Sequence, residues 1–283
     1  MHANFLPKPV ALLMLMTVAL SCPGANADVS PANPPTLAEL RSGERTLVVG
    51  GVANFGRFNV DVADQSGDGT ERLGMDREIM RVLVQVLGIK RVDFVTMNFG
   101  ELEDALLSGR IDVIANNYWI TPERQQKMSF TRPYYSGGGI AALYRAGGEH
   151  FDEPAKMSGR RVATLAKSHS AGWSRQHVPD AVIIELTGLA EMDDMLRARQ
   201  ADVLIGPATM FAESALASRD EDLYLYSILQ PMQSALALRH GSAELVAAFD
   251  QQLSLMEQDG SLAEIIRRDN RTLEAVSAQS IPE

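Results

Sequence analysis

The stretch that decides the fold lies between Thr46-Leu-Val-Val-Gly-Gly51 and Ile111-Asp-Val-Ile-Ala115. Each of these is a short apolar run of the kind that forms a buried strand, and the first ends in glycines. Between them, Met75 to Leu87 puts Ile79, Val82, Leu83, Val86 and Leu87 on one helical face, and Gly88 stops the helix. Val92 to Met97 reads as a strand, and Leu102 to Leu107 as a helix ended by Gly109. Strand, helix, strand, helix, strand predicts a mostly parallel sheet covered by helices.

The pattern then restarts. Gly137 to Arg145 opens a new strand, with Gly137 to Gly139 as a flexible entry. Arg161 to Ala166, Val182 to Leu186 and Asp202 to Ile205 read as strands, separated by helices at Ala171 to His177 and Glu191 to Arg199. Ser234 to Arg239 is a late strand, followed by an amphipathic helix from Ala243 to Gln258 and a shorter one from Leu262 to Arg268. These last elements read as returning to the first set. The fold class is therefore α/β, with two successive α/β sets.

The 283 residues, 46% apolar and 22% charged, supply enough apolar material for a real core. A formal net charge of −10, without a basic cluster, argues against nucleic acid as a partner. At the start, Lys8 precedes an apolar run from Val10 to Leu20 and the small-x-small signature Ala25-Asn26-Ala27. Residues 1–27 read as a secretory signal peptide, which makes the protein exported and periplasmic. Residues 28–40 read as a flexible leader, rich in Pro, Ala, Ser and Asn up to Pro35. The lone cysteine, Cys22, precedes the cleavage point, and Ala19-Leu20-Ser21-Cys22 is a poor lipidation signal. Removing residues 1–27 takes away Lys8 and no acid, so the mature charge is about −11.

Three further stretches carry a resemblance: Ser108-Gly-Arg-Ile-Asp-Val-Ile-Ala115, Ile120-Thr-Pro-Glu-Arg124 and Phe130-Thr-Arg-Pro-Tyr-Tyr135. With Gly74-Met-Asp76 before the first helix and Asp259-Gly-Ser261 near the end, the chain from Thr46 to Arg268 resembles the bacterial type II solute-binding proteins. Within these it is most similar to the polar amino-acid-binding family 3 that serves ABC transporters. The resemblance implies two lobes joined by two crossover strands, with a ligand held as the lobes close. It places lobe 1 at 41–143 plus 232–283 and lobe 2 at 144–231. It also implies a monomer that captures a small polar solute and meets a membrane permease.

Arg124 opens a helix after a strand, and its planar guanidinium suits a carboxylate; the family uses the matching arginine for that contact. Thr121 reads as the cap of that helix, with Pro122 at its first position. Asn116, Asn117, Tyr118 and Trp119 follow the third strand, where open α/β sheets place ligands. Asn54 and Phe55 follow the first strand, and Phe55 matches an aromatic that the family stacks on its ligand. Ser168 and His169 match a second-lobe pair at the ligand's carboxylate end, where Lys167 and His169 replace the usual glycine and threonine. The largest departure is Pro207, at a place where amino-acid binders often carry an acid for the ligand's ammonium. A carboxylate without an ordinary ammonium, or a cation caged by Phe55, Tyr118 and Trp119, fits as well as an α-amino acid.

The five histidines are scattered without metal-ligand spacing, and no catalytic motif accompanies them, so neither metal nor cofactor is expected. The expected role is binding rather than catalysis. The alternatives are a protein serving a sensor or an exported dehydrogenase, and a periplasmic dehydratase on the same scaffold.

Overall fold

The computed structural model describes residues 33–52, 74–188, 190–211 and 224–268. The signal-peptide reading, Cys22, and the candidate ligand residues Asn54 and Phe55 lie outside these residues.

The first sheet contains β1 (Leu47–Gly51), β2 (Val92–Thr96), β3 (Val113–Ile114), β4 (Met128–Phe130) and β10 (Ala237–Arg239). Its order is β2-β1-β3-β10-β4. The three strands read from the sequence run parallel, with Val49 opposite both Phe94 and Val113. β10 returns antiparallel between β3 and β4. The covering helices are α1 (Leu37–Ser42), α2 (Met75–Val86), α3 (Leu102–Leu107) and α7 (Ala243–Gln258). Ile79 and Leu83 from α2 and Phe249 and Leu253 from α7 share one buried cluster with the strand residues Leu47, Val113 and Leu238.

The second sheet contains β5 (Tyr135–Arg145), β6 (Arg161–Leu165), β7 (Val182–Leu186), β8 (Val203–Pro207) and β9 (Tyr224–Ser234), in the order β7-β6-β8-β5-β9. β6 is parallel to β7 and β8, whereas β5 runs antiparallel to β8 and β9. Both faces are covered. Ile140, Ala142 and Tyr144 enter one apolar cluster, and Ala141 and Leu143 the other, as a period of two requires. The chain passes between the sheets twice, after β4 and after β9. Hydrogen bonds from Thr131 N–H to the Leu236 carbonyl and from Tyr134 N–H to the Ser234 carbonyl, both 3.0 Å, tie these passages together.

Three readings change. The leader ends earlier than residue 40, because Thr36 and Glu39 form a capping box that starts α1, and Leu37 and Leu40 are buried. The change of sheet also falls earlier: residues 135–143, read as part of lobe 1, form most of a strand of the second sheet. The late strand is shorter than read, since β10 covers only Ala237–Arg239, and the eleven-residue β9 before it has no counterpart in the reading. Pro231 hides this strand in the sequence, yet an edge strand tolerates proline because one row of its backbone groups has no ladder partner.

Between helix and sheet in the first lobe sits a buried ion pair, Asp112 with Arg239 at 3.2 Å. The other Asp112 oxygen accepts from Val48 N–H at 3.0 Å, so this carboxylate joins β1, β3 and β10.

Candidate functional site

The backbone leaves β3 at Ile114 and runs along the junction of the two sheets. Ile120 N–H donates to the Gln233 carbonyl, and Ala235 N–H to the Tyr118 carbonyl. Asn117 adopts a left-handed conformation at φ 49°, which asparagine tolerates better than most residues. Its N–H donates to Asp76 Oδ2 at 2.6 Å. The other oxygen of that buried carboxylate accepts from the Tyr134 hydroxyl, in the passage between the sheets. Burial raises the Tyr134 pKa well above the ordinary tyrosine value, and the nearby Asp76 charge adds to this, so the hydroxyl remains a donor.

Thr121 then caps α4 (Pro122–Gln125), accepting from Arg124 N–H at 3.3 Å, with Pro122 in the first turn. The cap and the proline fix where Arg124 leaves the backbone. Its guanidinium lies 3.7 Å from the centroid of the Tyr118 ring and 6.0 Å from that of Phe99. Nη1 donates to the Trp119 carbonyl at 3.0 Å. Among the described residues no carboxylate pairs with this buried cation. Burial pulls its pKa below the ordinary arginine value, while Tyr118 and Glu103 oppose the shift. A guanidinium keeps its charge even so. Burial also pushes the Tyr118 hydroxyl up to about 12, against the pull of Arg124.

From the second lobe, Ser168 caps α5 (His169–His177), its hydroxyl accepting from Ala171 N–H at 3.1 Å. The helix thus starts two residues earlier than its apolar pattern suggests and carries His169 in its first turn. Lys167 sits at φ 57°, a left-handed position where glycine would be unstrained. The His169 and Trp119 rings meet edge to face at 6.2 Å. Burial, then the charge of Arg124, lowers the His169 pKa below 6.5, so the imidazole is neutral at pH 7.

Asn117, Trp119, Arg124, Ser168 and His169 line one narrow cleft, together with Phe99, Leu165, Ser170, Met192, Gly206, Pro207 and Met210. Its walls come from both lobes, which also touch directly: Asn117 Nδ2 donates to Thr209 Oγ1 at 3.4 Å. Two candidates are corrected. Asn116 is fully buried and accepts from Val52 N–H at 2.8 Å, so it ties the ends of β1 and β3 instead of facing the cleft. Tyr118 is buried between Phe99 and Phe130 and serves as a platform beneath Arg124. Sequence reasoning overlooked Phe99, Met192 and Met210. Met210 could have been found, because it follows the carboxyl end of β8, where ligands of such sheets sit.

The family described as bacterial extracellular solute-binding proteins, family 3, matches residues 47–268. A probable amino-acid ABC transporter-binding protein of Haemophilus influenzae is 29% identical over 255 residues, 89% of this chain and 95% of that one. The L-cystine-binding protein TcyJ of Escherichia coli K12 is 26% identical, covering 77% of this chain and 79% of its own. Among solved structures, the arginine-bound substrate-binding protein AbpA of Streptococcus pneumoniae superposes with a TM-score of 0.73 at 19% identity, over 83% of this chain and 98% of that one. An ancestral amino-acid-binding protein, described as a precursor of cyclohexadienyl dehydratase, gives a TM-score of 0.71 at 22% identity, over 83% and 99%. The chain belongs to the family 3 extracellular solute-binding proteins.

Asp76→Ala should cost about 3 kcal/mol in urea unfolding, because two buried donors lose their acceptor, and Asp76→Asn should cost less. The His169 contribution has a definite sign. A folded-state pKa below 6.5 leaves stability at its full value above that pH and erodes it as pH falls through 6.5 toward the folded pKa. The unfolding free energy of wild type minus His169→Gln should therefore decline from pH 8 to 5; a pH-independent difference would contradict the burial of the imidazole.

Proposed function

We propose that this protein captures a small polar solute, an amino acid or a related carboxylate, in the cleft between its lobes and hands it to an ABC permease. One observation carries the reading: a buried arginine, held on an aromatic ring by its own helix cap, opens into a two-walled cleft without an acid to neutralise it. An uncompensated charge in a desolvated place is costly, and a bound carboxylate removes that cost. Arg124 is the proposed carboxylate contact, and Asn117, Trp119, Ser168 and His169 frame the remainder of the ligand. Asn54 and Phe55 join this set on sequence grounds alone.

The names of the relatives support transport as the downstream step. The signal-peptide-like residues 1–27 support a periplasmic location. Binding is favoured over catalysis because His169 is the one imidazole or carboxylate among the described lining residues. General acid–base chemistry needs a positioned, suitably tuned group, and a single neutral histidine packed against Trp119 is a poor one.

Arg124→Met keeps most of the side-chain volume and removes the charge. It should weaken binding of a carboxylate ligand by at least about 100-fold in calorimetry, while the melting temperature of the unliganded protein stays near that of wild type. Unchanged affinity would remove Arg124 from the site.

A further inference from the structure

Among the described residues the cleft is lined by several donors and no acid. Arg124 brings a cation whose Nη1 alone is engaged by a described protein acceptor, the Trp119 carbonyl. Trp119 lines the cleft at 5% exposure, and its buried Nε1–H has no acceptor among the described residues. Three acceptors on the same walls are already in use. Asn117 Oδ1 takes the Ser234 hydroxyl, Ser168 Oγ takes Ala171 N–H, and the Ser170 carbonyl takes the Ser174 hydroxyl at 2.8 Å. No aspartate or glutamate is among the described lining residues. The remaining walls are Phe99, Leu165, Met192, Pro207 and Met210, which accept no proton well.

An α-amino acid brings to such a site both a carboxylate, which Arg124 can receive, and an ammonium with three N–H donors. The ammonium would lose its water beside a guanidinium, with no acid among the described lining residues to pair with. Leaving a buried cation unpaired is among the costliest events in recognition. A hydroxyl or carbonyl in the same place carries no charge and offers the acceptor that an orphaned indole N–H needs. A neutral imidazole can also meet a hydroxyl as either donor or acceptor.

We propose that the cleft selects a small organic anion without an ammonium, a 2-hydroxy or 2-oxo carboxylate with an apolar body, and that Trp119 Nε1–H is a specificity-determining donor to it. This rests on the reading of the cleft as a carboxylate site and narrows its ligand class. The apolar walls favour a side chain such as an isobutyl, thioether or phenyl group over a second charge.

The test compares matched compounds that differ at one substituent. The full-length protein, freed of co-purified solute by unfolding and refolding, is titrated in a calorimeter. The pairs are L-leucine with 2-hydroxy-4-methylpentanoate, L-methionine with 2-hydroxy-4-(methylthio)butanoate, and L-phenylalanine with phenyllactate. The hydroxy acid should bind at least tenfold more tightly than its amino acid in the pair that fits. Trp119→Phe, which keeps an aromatic ring and removes the N–H, should lower affinity for that hydroxy acid about tenfold and shrink its advantage over the matched amino acid, a selectivity change that lost packing alone would not produce. An amino acid that binds as tightly as its hydroxy partner overturns the inference while leaving solute capture by the cleft intact. Equal affinity in wild type and Trp119→Phe removes the indole from ligand selection. Absence of binding by every member of every pair overturns this inference and the carboxylate reading together, and Arg124→Met then has nothing to abolish.

Discussion

A single buried carboxylate holds the cleft in register. Asp76 stands at the start of α2 and reaches two segments that are distant in sequence, the Asn117 backbone and the Tyr134 hydroxyl. The first positions the loop from which Trp119 and Arg124 project. The second belongs to the passage between the sheets. Asp76 itself lies in the first turn of α2, where a negative charge is favoured by the unpaired N–H groups of the helix end. One side chain at a helix terminus therefore joins a left-handed loop residue to a crossover, and it does so at zero exposure. The Gly74 that precedes it has φ 77°, so the helix is entered through a conformation that glycine takes without strain.

The electrostatics follow from this scaffold. Arg124 would be expensive to bury alone. Its cap and the proline after it fix where it leaves the backbone, and the face of Tyr118 offers partial negative charge in place of an acid. Tyr118 is in turn clamped by Phe99 and Phe130 and kept protonated by burial. An aromatic platform offsets part of the desolvation and leaves the cationic fork available. An aspartate in the same position would neutralise it.

Much of this was legible in the sequence. The parallel core strands, α2, α3 and α7 were readable because apolar periodicity and stop residues agreed with one another, as at Ile79, Leu83 and Gly88. The cap at Thr121 and the exit point of Arg124 were readable from motif spacing, whereas Ser168 and His169 were picked out only through the family resemblance. What the sequence concealed was orientation. Asn116, Asn117, Tyr118 and Trp119 are consecutive and chemically plausible, yet a turn through φ 49° at Asn117 sends neighbours to different surroundings. Local pattern cannot show that Tyr118 would be drawn down between Phe99 and Phe130 while Trp119 crosses to the other lobe. Nor does it reveal β9, where Pro231 masks a strand that only its edge position permits.

Trp119 belongs to the first lobe by chain and to the second by packing, since it shares an apolar cluster with Ile140, Val162 and Trp173. A receptor of this kind reports occupancy through how far its closed population rises when solute arrives. Here an indole, a part of the protein and not of the solute, supplies contact between the lobes. Ligand shifts an equilibrium only by its differential affinity for the two states, so whatever the indole supplies in advance narrows the range over which solute can act. The consequence is a contrast problem. The less the closed population changes when solute arrives, the less a partner could learn from the closed shape alone.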